Sequence, residues 1–216
     1  MDRYLYGASV QGIQDFIFKT NKLQEIVGAS EIVKNIEKLF LENYKANEII
    51  LNAAGNIKAI FNDKDECEKV VKEFSKIVQQ SAYGITISQA VVKIGEQYTQ
   101  EDINALEANL KIQRNKPSIP LDMSINLMKL NPTTAKPLIK NKADRATSQK
   151  LTSYEAIEKD ETFKELKYLS NGKNKIAVIH IDGNGLGQLI PNLKKECNLT
   201  LSEFSVKLDT ATKKAF

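Results

Sequence analysis

Asp182 is the carboxylate whose setting most suggests chemistry in this chain of 216 residues. It ends an apolar, β-favouring run, Ile176 to Ile181, and opens the turn Gly183-Asn184-Gly185-Leu186-Gly187. A buried strand that delivers one carboxylate into a tight glycine turn suits a metal ion and a phosphate chain. Apolar neighbours fix the carboxylate, and bare glycine backbone lets a polyphosphate come close. The same residues also suit a core strand that ends in an ordinary Asp-Gly turn. Taken alone, the stretch Lys175–Ile190 supports both readings equally.

Other motifs fail on spacing. A dinucleotide fingerprint needs G-x-G-x-x-G, and here the third glycine comes one residue early. No Gly-Lys-Ser/Thr follows, so the turn is not a P-loop. Asp182 and Asn184 fit the first ligands of an EF-hand, but Leu186 replaces the third and no Glu closes the loop. The single histidine, His180, lies inside the apolar run and reads as a packed residue. A Ser/His/Asp hydrolase or a histidine-rich metal site would depend on it entirely. Cys67 and Cys197 form no CxxC pair, which argues against a cysteine zinc site or a disulfide framework. Two reduced thiols in a cytosolic protein are expected. The net charge of +4 is compatible with nucleotide or nucleic-acid binding without demanding it. No apolar run reaches the roughly 20 residues of a membrane span. The N-terminus shows no signal-type core.

The elements that must position these residues follow from periodicity. Arg3–Ser9 predicts a strand, and Ile13, Phe16 and Ile17 start a short helix. Ser30 is read as the N-cap of an amphipathic helix over Glu31–Tyr44, with Ile32, Val33, Ile36, Leu39 and Phe40 on one face. Glu48–Ala53 and Ile57–Asn62 predict two strands joined at Ala54-Gly55-Asn56. Lys64–Ala82 predicts a second amphipathic helix, and Ile85–Ile94 a fourth strand. The order β-α-β-β-α-β is that of a ferredoxin-like α+β unit, with two helices on one face of an antiparallel sheet. A helix is expected over Tyr98–Ile112. Residues 113–150 hold four of the five prolines and predict an irregular connector, which could wrap a ligand, pair with another chain or serve as a plain linker. The segment from Ala143 to Tyr168 is expected to be partly helical. The strand before Asp182 and a helix from about Leu201 complete the prediction. The domains expected are 1–97, 98–174 and 175–216, the last only the first strand and helix of its fold.

A strand-terminal aspartate backed by a glycine turn is a device of palm-type nucleotidyl transferases and cyclases. There it holds a divalent cation with a second carboxylate from a neighbouring hairpin. The run GASVQGIQDFIFKTNKLQEIVGASEIV resembles the opening of the first palm domain in the large polymerase/cyclase subunit of type III CRISPR effector complexes. Gly12, Ile13, Gln14, Phe16, Ile17 and Ser30 carry that resemblance. VIHIDGNGLGQLI resembles the first strand of the family's second palm.

The resemblance implies two facing palms that bind ATP between them, use Mg²⁺ or Mn²⁺, and make cyclic oligonucleotide messengers in antiviral defence. It implies Asp182 and the Ile181 carbonyl as metal ligands, and Gly183, Asn184, Gly185 and Gly187 as the triphosphate-facing turn. It places Ser30, Gly55 and Asn56 against the opposing nucleotide. The implied partners are a nucleoside triphosphate and either subunits of a CRISPR RNA–protein complex or a second copy. The chain also departs from the pattern. Its first hairpin, Ala53-Ala54-Gly55-Asn56, has no acidic pair, so that half is expected to be non-catalytic. The family's second acidic hairpin, expected after Phe216, its HD nuclease domain and its zinc-binding cysteines do not stand in these residues. The expectation is that this piece is inactive alone and that a longer parent is the enzyme. A non-catalytic nucleotide-binding or scaffold protein with degenerate palms is the alternative. A diguanylate cyclase of the GGDEF class would share the palm but leaves the N-terminal resemblance unexplained.

Overall fold

Alternation along the first strand sets the sheet. In β1 (Arg3–Gln11), Tyr6, Ala8 and Val10 face one side, and Leu5, Gly7 and Ser9 face the other. All six are buried, as expected for an interior strand covered on both faces. The computed structural model describes residues 2–53, 55–116, 127–139, 143–157, 170, 172–173 and 185–215. β1 pairs antiparallel with β3 (Asn56–Phe61) and β4 (Thr86–Ile94), and β3 pairs with β2 (Glu48–Ala53). The order β2-β3-β1-β4 is that of a ferredoxin-like palm. The predicted α+β unit is therefore present.

A short α1 (Ile13–Ile17) follows β1, entered through Gly12 at φ 64. α2 (Leu23–Asn43) and α3 (Lys64–Ser81) cover the Tyr6 face. Phe40 of α2 joins the two helices to the sheet: its ring stacks on Tyr6 at 5.8 Å and meets Phe74 of α3 edge-on at 5.3 Å. Such pairs add about 0.5–1.5 kcal/mol each beyond area burial. Cys67 lies in this core, where burial pushes its thiol up to about 11 and keeps it unreactive at neutral pH. Cys197 is exposed and free.

α4 (Gln100–Arg114) covers the opposite face through Ile103, Leu106 and Leu110, packed on Leu5, Ile60 and Ile94. Thr99 and Asp102 cap its start reciprocally, with Asp102 accepting from the Thr99 amide at 2.8 Å. α5 (Arg145–Ala156) packs along α2. Near the C-terminus come α6 (Leu186–Leu189), a 3₁₀ turn (Ile190–Asn192), α7 (Leu193–Glu196) and α8 (Leu201–Ala215). α8 lies against β2, and its Leu201 packs on the α4-side core.

One boundary differs from expectation. Ser30 is not an N-cap. α2 begins at Leu23, and Gly28-Ala29-Ser30 lie inside it. The Ser30 hydroxyl donates to the Ile26 carbonyl at 3.1 Å, one turn back. Position 28 needs glycine because α5 crosses there: a Cβ would stand 1.9 Å from the Lys150 carbonyl oxygen. Tertiary packing overrides the roughly 1 kcal/mol that glycine costs a helix. The strand expected before Asp182 falls outside the described residues, and among the described residues no helix is long and apolar enough to cross a membrane.

Candidate functional site

Two features meet at the C-terminal end of β1. The first is a polar corner on the α4 side. Register places Ser9 opposite Asn56 of β3 and Ser88 of β4. The buried Ser9 hydroxyl donates to Asn56 Oδ1 at 2.9 Å and accepts from Arg114 at 3.1 Å. Gln11 Nε2 donates to the Ser9 carbonyl at 3.1 Å. Arg114 ends α4 at the surface, so α4 carries a cation to a hairpin that has no acid of its own. The hairpin backbone is fixed as well. Gly55 stands at φ 74, its amide donates to Glu37 of α2 at 3.1 Å, and its carbonyl accepts from Val10 at 2.8 Å. The nearest atom to a Cβ on Gly55 would be the flexible tip of Ile13, Cδ1 at 2.9 Å, so it is the positive φ that calls for glycine.

The second feature is a cleft of about 1010 Å³ bounded by the β1–α1 corner, the Tyr83-Gly84 turn, residues 128–139 and the start of α5. Its wall is held by Asp144, the N-cap of α5. Asp144 Oδ1 accepts from the Thr147 amide at 2.9 Å. Its Oδ2 accepts from Asn131 at 2.7 Å, Thr134 at 2.6 Å and Thr147 Oγ1 at 3.0 Å. Burial pushes this carboxyl up, but the hydrogen bonds from Thr134, Thr147 and Asn131 outweigh it and hold the carboxyl below the usual range. Beneath it, Lys150 is 4% exposed, donates to the Phe16 carbonyl and places Nζ 4.4 Å from the Phe16 ring centre. Burial lowers the Lys150 ammonium, against the pull of Glu25 and Asp144.

Asp144→Ala is expected to cost about 2 kcal/mol, from a lost cap and orphaned buried donors, read by chemical denaturation. The sign of its pH dependence follows from the depressed carboxyl. Its contribution is complete above the unfolded value near 3.8 and is lost as pH falls through the folded value. The wild type is therefore expected to lose stability more steeply than Asp144→Asn as pH drops below about 4.

The residues singled out from the sequence separate into four groups. Gly55 and Asn56 belong to the polar corner. Ser30 is exposed on α2, seven residues before Glu37 and so about 10 Å from it along the helix axis. It is not among the residues that line the cleft. Gly185 takes φ 75 and leads directly into α6, which contains Gly187, a backbone glycine adopts without strain. Ile181, Asp182, Gly183 and Asn184 lie outside the described residues. Arg114, Asp144 and Lys150 were not anticipated. The signal for Asp144 was present as Asp-x-x-Thr ahead of a helical stretch.

The described residues do not make a metal site. Among them, no three His, Cys, Asp or Glu side chains converge. Asp144, the most buried carboxylate at the cleft, is surrounded by four donors where a cation would have to sit.

No protein-family profile matches the chain, and no curated protein matches it. Solved structures that resemble it include a Csm1–Csm4 cassette in complex with pppApApA, at TM-score 0.42 and 16% identity over 52% of this chain and 19% of that chain. The Csm1–Csm4 subcomplex of the type III-A CRISPR-Csm interference complex gives a TM-score of 0.40 and 17% identity over 52% and 18%. The cassette in complex with one ATP gives 0.38 and 17% over 52% and 18%. The overlap spans less than a fifth of each of those chains. Likeness at this level assigns no residue of this chain a role.

Proposed function

We propose that this chain supplies the nucleotide-supporting half of a palm-class nucleotidyl cyclase, in which ATP lies between the sheet described above and a second palm beginning near Lys175. The product class is a cyclic oligonucleotide messenger, as in the CRISPR-associated cyclases the sequence resembles, acting in antiviral defence. The observation that supports this most is the polar corner: a palm hairpin that presents Asn56, with Ser9 of β1 and Arg114 of α4 beside it, in place of acids. Such a corner can hold a nucleotide's polar groups but cannot hold its metal. Catalysis then falls to Asp182, with the Ile181 carbonyl and a carboxylate on a further hairpin. The turn from Gly183 to Gly187 faces the triphosphate. Mg²⁺ or Mn²⁺ bound there would neutralise the triphosphate.

A second reading, a nucleotide-binding scaffold without turnover, is favoured by the absence of an acidic pair at the described hairpin and of any acidic triad among the described residues. Binding and product formation separate the two. ATP with Mn²⁺ is expected to titrate saturably into the protein. Arg114→Ala and Asn56→Ala are each expected to weaken it about tenfold, the 1.4 kcal/mol scale of a charge-assisted hydrogen bond. Unchanged affinity in both variants removes the corner from the site. Cyclic products are expected only when a strand–Gly-Gly-Asp-Asp/Glu–strand hairpin follows this chain. Products from the 216-residue chain alone would overturn that assignment.

A further inference from the structure

Ser9 is the buried hydroxyl at the centre of the polar corner, 4% exposed inside β1. A serine hydroxyl offers one hydrogen and two lone pairs. All three are in use here. The hydrogen goes to Asn56 Oδ1 at 2.9 Å, and the lone pairs take Arg114 Nη2 at 3.1 Å and Gln11 Nε2 at 3.2 Å. These partners stand on β3, α4 and β1 itself. The Ser9 oxygen therefore has no capacity left for a ligand. Whatever it contributes to binding one passes through the side chains it holds.

Those contacts fix the hydroxyl in one role. Asn56 Oδ1 takes its hydrogen, so toward Arg114 it presents a lone pair only. Gln11 holds the same residue a second time, donating from Nε2 to the Ser9 carbonyl at 3.1 Å. The strand beneath is paired on both sides, with Ser9 opposite Asn56 and Ser88. The acceptor is thus anchored in the sheet, whereas Arg114 is a long side chain with several rotatable bonds. A side chain ordered before binding loses less freedom when the ligand arrives.

Arg114 has both charge and donors to spare. It is exposed in the last turn of α4. Among the described residues it bonds to Ser9, and no carboxylate pairs with it. A neutral hydroxyl orients one of its N–H groups and leaves the positive charge unneutralised, which a carboxylate in the same place would not. A guanidinium fork matches phosphate oxygens in geometry as well as in charge.

We propose that Ser9 is a positioning residue of the nucleotide corner: as a fixed acceptor it holds the Arg114 guanidinium in place for a phosphate group of the ligand, which Ser9 itself does not touch. This rests on the nucleotide reading of the corner and names the part of the nucleotide that Arg114 meets.

The test is a double-mutant cycle read by titration of ATP with Mn²⁺ into the 216-residue chain. Arg114→Ala is expected to weaken binding about tenfold, and Ser9→Ala about fivefold. The double variant is expected to stay within about twofold of Arg114→Ala, where independent losses would multiply to roughly 50-fold. Both single variants are expected to flatten the salt dependence of binding, because each takes one cation away from the ligand. Ser9→Thr keeps the hydroxyl on a residue that suits a strand, and is expected to recover most of the affinity. If Arg114→Ala binds like the wild type, the nucleotide reading of the corner fails and this inference with it. If Arg114→Ala weakens binding and Ser9→Ala does not, this inference alone is overturned. It is also overturned by a double variant near the 50-fold product, or by wild-type salt dependence in Ser9→Ala. A Ser9→Thr variant that melts like the wild type yet binds as weakly as Ser9→Ala overturns it too, since the hydroxyl would then not be the cause.

Discussion

Gly28→Ala is expected to destabilise this protein by about 3 kcal/mol or more, at the upper end of overpacking costs. Two effects of opposite sign compete. Alanine favours a helix interior over glycine by roughly 1 kcal/mol. Against that, its Cβ would stand 1.9 Å from the Lys150 carbonyl oxygen, 2.8 Å from the Lys150 carbonyl carbon and 3.1 Å from the Tyr154 amide nitrogen. All three are backbone atoms of α5, so no rotamer change relieves the contact, and α5 must move. Its movement would break the Lys150 hydrogen bond to the Phe16 carbonyl and those of Gln149 to the Tyr83 amide and the Gln80 carbonyl. Gly7 gives the contrast. A Cβ there meets Leu106 Cδ2 at 2.8 Å, the end of a flexible side chain, and Gly7→Ala should cost less. For a domain of this size, the expected loss for Gly28→Ala lowers the melting temperature by about 6–12 °C. A melting temperature within about 2 °C of the wild type would mean that α5 is not packed on α2 as described.

The same glycine shows where the sequence stopped being legible. α3 could be read because burial on one face forces a period, and Val70, Phe74 and Val78 keep it without interruption. The strands could be read as short apolar, β-favouring runs bounded by turn residues. In α2, Gly28-Ala29-Ser30 looks like a break followed by a cap, since small polar residues favour helix starts. What calls for the glycine inside the helix is α5, more than a hundred residues later, and local sequence does not contain it. Asn56 was legible as a hairpin residue, but the cation beside it was not. Arg114 reaches Ser9 only because α4 lies across the sheet, a relation of 105 residues in sequence. Asp144 carried a local N-cap signal, yet its role as the anchor of the cleft wall comes from Asn131 and Thr134 across a proline-rich stretch. Secondary structure was written in periodicity, and the site in contacts between elements.

Asp182→Ala, in a protein that carries the complementary acidic hairpin, is expected to lower cyclic-product formation by at least about 100-fold, the scale of losing one transition-state stabiliser. The alanine variant alone does not decide between the two readings of the turn, because removing a turn-forming side chain can also disturb the backbone. Asp182→Asn does decide. Asparagine forms the same turns as aspartate and keeps a side-chain carbonyl, so a strand end that only needs a turn tolerates it. A carboxylate required for its negative charge beside a polyphosphate and a cation is not replaced by a neutral amide. The expected result is therefore that Asp182→Asn melts like the wild type and binds ATP within a few-fold of it, through the Arg114 corner, yet forms product no faster than Asp182→Ala. Wild-type turnover in Asp182→Asn would return the Gly183–Gly187 stretch to an ordinary strand-end turn and leave this chain a nucleotide-binding scaffold.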